Sequence, residues 1–201
     1  MHTEAHHYFI LNKPVNMVSQ FVSTHEVGLL GDLEFRFPEG THAIGRLDNH
    51  SEGLLLLSTN KKVTRLLFSD VNPHKRTYLV QVNNLLDEEK INRLRTGVTI
   101  RIKNGDYYTT PACDVVMVQD PLKLYPHIGA DIPFGQHSWM LITLTEGKYH
   151  QVRKMVAAIR HRCKRLIRLS IENVLLEDLA PGQVKEMNEK DFFKRLKIKY
   201  P

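Results

Sequence analysis

Four consecutive leucines, Leu54 to Leu57, follow directly on the polar turn GRLDNHSEG of residues 45–53. So short an apolar run, bounded by turn-forming residues, fits a buried strand better than a helix. A buried strand needs other elements over it, so the turn in front of it, which carries Asp48, is backed by core.

The neighbouring segments supply those elements. Tyr8 to Leu11 reads as a strand stopped by Asn12-Lys13-Pro14, because proline lacks a ladder donor and restrains the residue before it. After Asn60, the positions Val63, Leu66 and Leu67 follow helical spacing. Thr77 to Val82 is rich in β-branched and aromatic residues and sets Tyr78, Val80 and Val82 on one face of a strand. Asp87 is placed to cap a helix whose buried stripe includes Ile91 and Leu94 and which stops at Gly97.

From Val98 to Val118 two β-rich runs flank Asn104-Gly105, a dipeptide suited to a hairpin turn. Residues 120–135 hold three prolines and two glycines and read as a loop. Trp139 to Thr145 alternates as a strand, and Val152, Met155, Val156 and Ile159 form the stripe of an amphipathic helix. Ile167 to Ile171 is a further strand, and Asn188 caps a last helix holding Phe192, Phe193 and Leu196. Strands outnumber helices and the two are intermixed, which predicts an α+β fold with a largely antiparallel sheet.

A chain of 201 residues buries enough apolar surface to fold as one domain without metal or disulfide support. Cys113 and Cys163 lie far apart, with no Cys-x-x-Cys or Cys/His cluster, so neither a disulfide framework nor a zinc site is expected and a reducing compartment is. The N-terminus lacks the basic and apolar regions of a signal peptide, and no apolar run is long enough to span a bilayer, so a soluble, cytoplasmic protein without membrane association is expected.

The net charge is +6, but its distribution says more than its size. Between Lys148 and Arg168 there are eight Lys or Arg residues and no Asp or Glu within 21 positions. A solvated helix face accounts for many such runs, but crowding of one sign repels itself unless an anion neutralises it, which favours a phosphate backbone as partner. Tyr78, Tyr107, Tyr108 and Tyr149 are available to stack on bases.

The chain has no G-x-x-x-x-G-K-[ST], no G-x-G-x-x-G, no G-x-S-x-G and no H-E-x-x-H. Asp48 and Glu52 are close enough in sequence to form a carboxylate pair of the glycosidase kind, although other signs of a sugar site are missing. Asp48 on its own is also an ordinary turn residue, since aspartate in a polar loop commonly bonds to nearby amides.

Taken together, GRLDNHSEGLLLLS, KRTYLVQV, LTEGKYHQVRKM and KRLIRL, in that order, resemble the motifs of the pseudouridine synthases that modify small- and large-subunit ribosomal RNA. Within that family the pattern is most similar to the large-subunit synthases of the E type. The resemblance runs from FILNKP to LAPGQVKEM and implies one catalytic domain over residues 1–201, with a polar tail at 1–7 and two lobes around a central RNA-binding cleft. No N-terminal RNA-binding module of the ribosomal protein S4 type is expected, as the first strand starts near Tyr8.

By resemblance, a uridine in RNA is detached at its glycosidic bond, turned and rejoined through C5, with no cofactor and no metal. The large-subunit RNA, 23S, or its assembling particle is the implied partner, and a monomer is expected. Asp48 matches the catalytic aspartate, Arg153 the basic residue paired with it, and Tyr78 the tyrosine stacked on the target base. Arg46 matches the residue that fills the gap left by the flipped base, with a plain phosphate contact as its alternative. Lys148, Lys154, Lys164 and Arg168 are candidates for backbone contacts. Two departures, Lys61-Lys62 in place of the usual Asp-Gly and Arg160-His161-Arg162-Cys163 after the third motif, leave these positions untouched. The alternatives are a non-catalytic RNA-binding or ribosome-assembly protein on the same fold, and a hydrolase that uses Asp48 with Glu52.

Overall fold

A computed structural model describes residues 5–68, 73–102, 105–129 and 135–199. The chain opens on β1 (Tyr8–Lys13), in which all six residues are buried. The strand continues two residues past the expected stop, because Asn12 and Lys13 still pair with Leu54 and Gly53, and Pro14 ends the ladder. β2 (His42–Ile44) leads through the Asp48 turn into β3 (Glu52–Ser58), which is buried over its whole length. Helix α1 (Lys62–Leu67) follows, with Val63 and Leu67 buried.

β4 (Arg76–Asn83) precedes α2 (Glu88–Thr96). Asp87 caps α2 by accepting from the Lys90 amide, and Ile91 and Leu94 are its buried residues. β5 (Thr99–Arg101) and β6 (Tyr107–Thr109) form the expected hairpin; its Asn104 lies outside the described residues, and Gly105 has a φ of 91°. β7 (Asp114–Val118) and β8 (His137–Leu144) come next, then α3 (Gln151–Ala158), β9 (Cys163–Ile171), β10 (Val174–Leu175), β11 (Val184–Met187) and α4 (Glu189–Arg195). Asn188 caps α4 as its sequence position predicts, accepting from the Lys190 amide. The architecture is α+β, and the strand pairs β1–β3, β1–β11, β2–β3, β4–β8, β7–β8 and β9–β10 are all antiparallel.

Two compact units share the chain: residues 1–74 with 168–201, and residues 75–167. In the first, β1 lies between β11 and β3, and α4 places Phe192 and Phe193 against Tyr8 at ring-centroid distances of 4.8 and 5.4 Å. The long connection between β1 and β2 gives few sequence signals, yet it packs Phe35 and Phe37 edge-on against Phe9, at 5.6 and 5.7 Å, with Phe21 beside Phe37.

In the second unit, Val80 and Val82 of β4 and Met140, Ile142 and Leu144 of β8 face Ile91 and Leu94 of α2 and the full stripe Val152, Met155, Val156 and Ile159 of α3. The described part of the 120–135 loop is more ordered than its proline content suggests. It forms two 3-10 turns, Pro121–Lys123 and Pro126–Ile128, buries Tyr125 and Ile128, and is tied down by Arg165, whose Nη1 donates to the Ile128 carbonyl at 2.5 Å. Proline at the first helical position supports such turns. Both cysteines are free, and burial pushes each thiol up to about 11, so neither is a thiolate near neutral pH. Among the described residues no helix is long and apolar enough to cross a membrane.

Gly97, where α2 stops, carries a φ of 104°, and a Cβ there would meet the Thr110 carbonyl oxygen at 2.2 Å. Both the backbone conformation and the space exclude a side chain. Gly97→Ala is expected to lower the unfolding free energy by about 2–3 kcal/mol, read from urea unfolding; a change of a few tenths would contradict this account of the turn.

Candidate active site

In the first unit the candidate residues Arg46 and Asp48 share one turn, and its rigidity comes from several separate anchors. Gly45 enters it at a φ of 75°, with its Cα face against the Phe68 ring: an added Cβ would lie 2.6 Å from Phe68 Cζ. Leu47 is buried and held on both sides by one hydroxyl, since its amide donates to Ser19 Oγ and Ser19 Oγ donates to its carbonyl, each at 3.0 Å. The Ser51 amide closes the turn on the Asp48 carbonyl at 3.0 Å, and the Asn16 amide donates to the Asn49 carbonyl at 2.9 Å. Between these points Arg46 is exposed and Asp48 half-buried. The backbone on each side of the carboxylate is fixed, which is what a positioned reactive group requires.

Sequence reasoning missed a residue beneath this turn. Lys13 is fully buried at the end of β1, and its Nζ donates to the carbonyls of Met17 at 2.6 Å, Pro14 at 2.7 Å and Asn49 at 3.5 Å. Burial pushes its ammonium from 10.5 down to about 8, against the pull of the Glu52 and Asp48 carboxylates, with the Arg168 guanidinium adding to the depression. A lysine directly before proline at the end of an apolar strand was the available signal. It ties β1, the segment after it and the Asp48 turn together through one ammonium group. Glu52, the proposed second carboxylate of a hydrolase, is buried as the first residue of β3 and acts electrostatically on Lys13.

The depression has a definite sign for stability. Between about pH 8 and 10.5 the unfolded chain holds a proton on Lys13 that the folded chain has lost, so stability rises with pH across that window. Below it both states are protonated and the slope vanishes. The difference in unfolding free energy between wild type and Lys13→Met is expected to grow by about 3 kcal/mol at most from pH 8 to 10.5. Urea unfolding at stepped pH reads it, and a flat difference would contradict the assignment.

Arg168, a candidate backbone contact by its place in the cation run, is held inside the protein. It is 3% exposed, and its Nε donates to the Leu54 carbonyl at 2.7 Å, bracing the strand that follows the Asp48 turn. Both faces of β9 are covered at this point, since Leu166 and Ile167 are buried with Arg168, and a count of charges along the chain does not register that cover.

The second unit carries Tyr78 and Arg153. Tyr78 is half-buried on β4, opposite Ile142 of β8, and its ring packs against the core that α3 covers. Arg153 is the third residue of α3, half-buried, and near enough for its charge to lower the Cys163 thiol against the upward push of burial. The turn into α3 is built by a polar relay. Tyr108 donates its hydroxyl to Glu146 at 2.5 Å, Gln151 Nε2 donates to the other Glu146 oxygen at 2.6 Å, and the Lys148 amide donates to Gln151 Oε1 at 2.8 Å. His150 completes it in the left-handed region, at φ 54°. Lys148 and Lys164 are exposed and Lys154 half-buried, and with Arg160 and Arg162 they form no ion pair among the described residues. Unneutralised cations of one sign on one segment suit a polyanion.

The chain as a whole matches a known family. The chain matches the family model described as RNA pseudouridylate synthase over residues 7–158. It is 35% identical over 184 residues to the Ribosomal large subunit pseudouridine synthase E of Vibrio vulnificus, an alignment that covers 89% of this chain and 74% of the relative. The protein of the same name from Xanthomonas axonopodis pv. citri is 34% identical over 177 residues, covering 86% of this chain and 89% of the relative. The Ribosomal small subunit pseudouridine synthase A of Escherichia coli is 28% identical over 185 residues, covering 92% and 71%. A solved structure described as a pseudouridylate synthase superposes with a TM-score of 0.77 at 25% identity, over 98% of this chain and 76% of that one. A family model matched over most of the chain, and relatives aligned along nearly all of it, make this chain a member of the RNA pseudouridylate synthase family, a pseudouridine synthase.

Proposed function

We propose that this enzyme isomerises a specific uridine of ribosomal RNA, in the large-subunit (23S) RNA or its assembling particle, with residues 1–201 acting as one monomeric catalytic domain in the cytoplasm. Asp48 is the catalytic carboxylate, Arg153 its cationic partner, and Tyr78 the ring stacked on the target base. Arg46 fills the gap left by the flipped nucleotide, and Lys148, Lys154 and Lys164 hold backbone phosphates.

The observation that carries the reading is the turn of residues 45–51. Its sequence resembles a motif of the family, and its backbone is pinned on both sides of Asp48 while the carboxylate stays half-buried. Detaching and rejoining a base demands a group held against the reacting nucleotide, and such positioning supplies much of the rate when substrate and product are isomers. The large-subunit assignment is supported by the names of the relatives with 34–35% identity, against 28% for the small-subunit synthase.

Pseudouridine mapping of both ribosomal RNAs from cells with and without this protein tests the target. One position in the large-subunit RNA is expected to revert to uridine and to be restored by the purified protein. Reversion confined to the small-subunit RNA would contradict the large-subunit assignment.

A further inference from the structure

We propose that Tyr149, backed by His150, is a stacking platform for an unpaired base of the RNA flanking the modified nucleotide, with Lys148 and Lys154 taking its phosphates. The proposal rests on the RNA-substrate reading above and adds a binding subsite to it.

Tyr149 is 65% exposed, although it sits between a buried strand and a helix with a complete apolar stripe. Its ring has no core to enter. The outer turn instead arranges it: Tyr149 and His150 stack with centroids 3.8 Å apart and planes within 19°. His150 adopts φ 54° and ψ 31°, a left-handed conformation that costs a non-glycine residue energy. The relay from Tyr108 through Glu146 to Gln151 holds this turn, and the hydrogen bonds engage both oxygens of the Glu146 carboxylate.

Tyr149 and Tyr108 each carry one cation. Lys154 Nζ lies 5.3 Å from the centroid of Tyr149, and Lys148 Nζ lies 5.0 Å from that of Tyr108. An exposed cation–π contact is worth about 0.5–1 kcal/mol, whereas a base stacked on an aromatic side chain is worth about 1–3 kcal/mol. An incoming base therefore displaces Lys154 from the ring, and the released ammonium is left beside the phosphate of the same nucleotide. Tyr107 is also exposed, at 79%, but no such ring partner or cation lies against it among the described residues. Tyr149 also stands four residues before Arg153, at the end of α3 that carries the proposed partner of the catalytic carboxylate.

Equilibrium binding of a large-subunit rRNA fragment, read by filter retention over a range of salt, tests the platform on the full chain. Tyr149→Ala is expected to raise Kd about tenfold with an unchanged salt slope, because stacking releases no counterion. Tyr149→Phe is expected to bind as wild type does. Lys154→Ala is expected to reduce the salt slope by about one. Unchanged affinity in Tyr149→Ala, or equal losses in the Ala and Phe variants, would overturn the proposal. Because binding is the readout, these outcomes are separate from a failure of the wild type to form pseudouridine, which would strike the catalytic reading alone.

Discussion

Asp48→Asn is expected to abolish pseudouridine formation, lowering kcat about ten-thousand-fold or more, while the Kd for rRNA stays within about a factor of three. The substitution keeps the size of the side chain and removes its charge and nucleophilicity. The surrounding turn should survive, because its anchors are the backbone of Leu47, the Asp48 carbonyl and Asn49, with Ser19, Ser51 and Asn16 as their partners. Single-turnover pseudouridine formation alongside filter binding separates the two quantities. A variant that retains a tenth of wild-type turnover would remove Asp48 from the chemistry. One that loses binding and turnover equally would make it a structural residue of the turn.

Arg153→Ala is expected to lower kcat about a thousandfold and Arg153→Lys about a hundredfold. Lysine retains the charge but not the planar fork, so a loss in both variants is the signature of a guanidinium that orients a carboxylate. Folding should tolerate either change, because α3 is held by Val152, Met155 and Val156, all buried, while Arg153 stands at the margin of that core. If lysine restores full activity, Arg153 supplies only positive charge. If the Arg153 effect adds to that of Asp48→Asn in the double variant, the two residues act independently and the proposed pairing is wrong.

Much of this fold was legible in the residues because local and tertiary signals agree. Asp87, Ile91, Leu94 and Gly97 delimit α2 by cap, stripe and stop, and the structure repeats each of them. The α3 stripe and the one-faced alternation of β4 meet in one apolar core, as their periodicities require. What stayed hidden was tertiary. Leu33, Phe35 and Phe37 alternate as a strand would, yet that segment joins no strand pair among the described residues and instead packs Phe35 and Phe37 on Phe9, with Phe21 on Phe37. Strand β11 gains its identity from pairing with β1, more than a hundred and seventy residues away.

The site shows the same division. Its turn and helix were readable as motifs, but Lys13 reads along the chain only as part of a strand's stop and Arg168 only as one of a run of cations. Their burial depends on which strand each one joins, and both donate to backbone carbonyls of the turn and strand around Asp48. Charge read along a chain cannot distinguish a strut from a contact until strand faces are assigned.

The central claim is that this chain isomerises uridine, using Asp48. Ribosomal RNA carrying tritium at uridine C5 tests it most directly, because forming the new carbon bond at C5 expels that atom to water. The wild type is expected to release tritium in step with pseudouridine formed, one for one, and Asp48→Asn to release none. No release from either ribosomal RNA, whether free or in assembling particles, would leave an RNA-binding protein on a synthase fold. Appearance of free uracil in place of pseudouridine would make it a hydrolase.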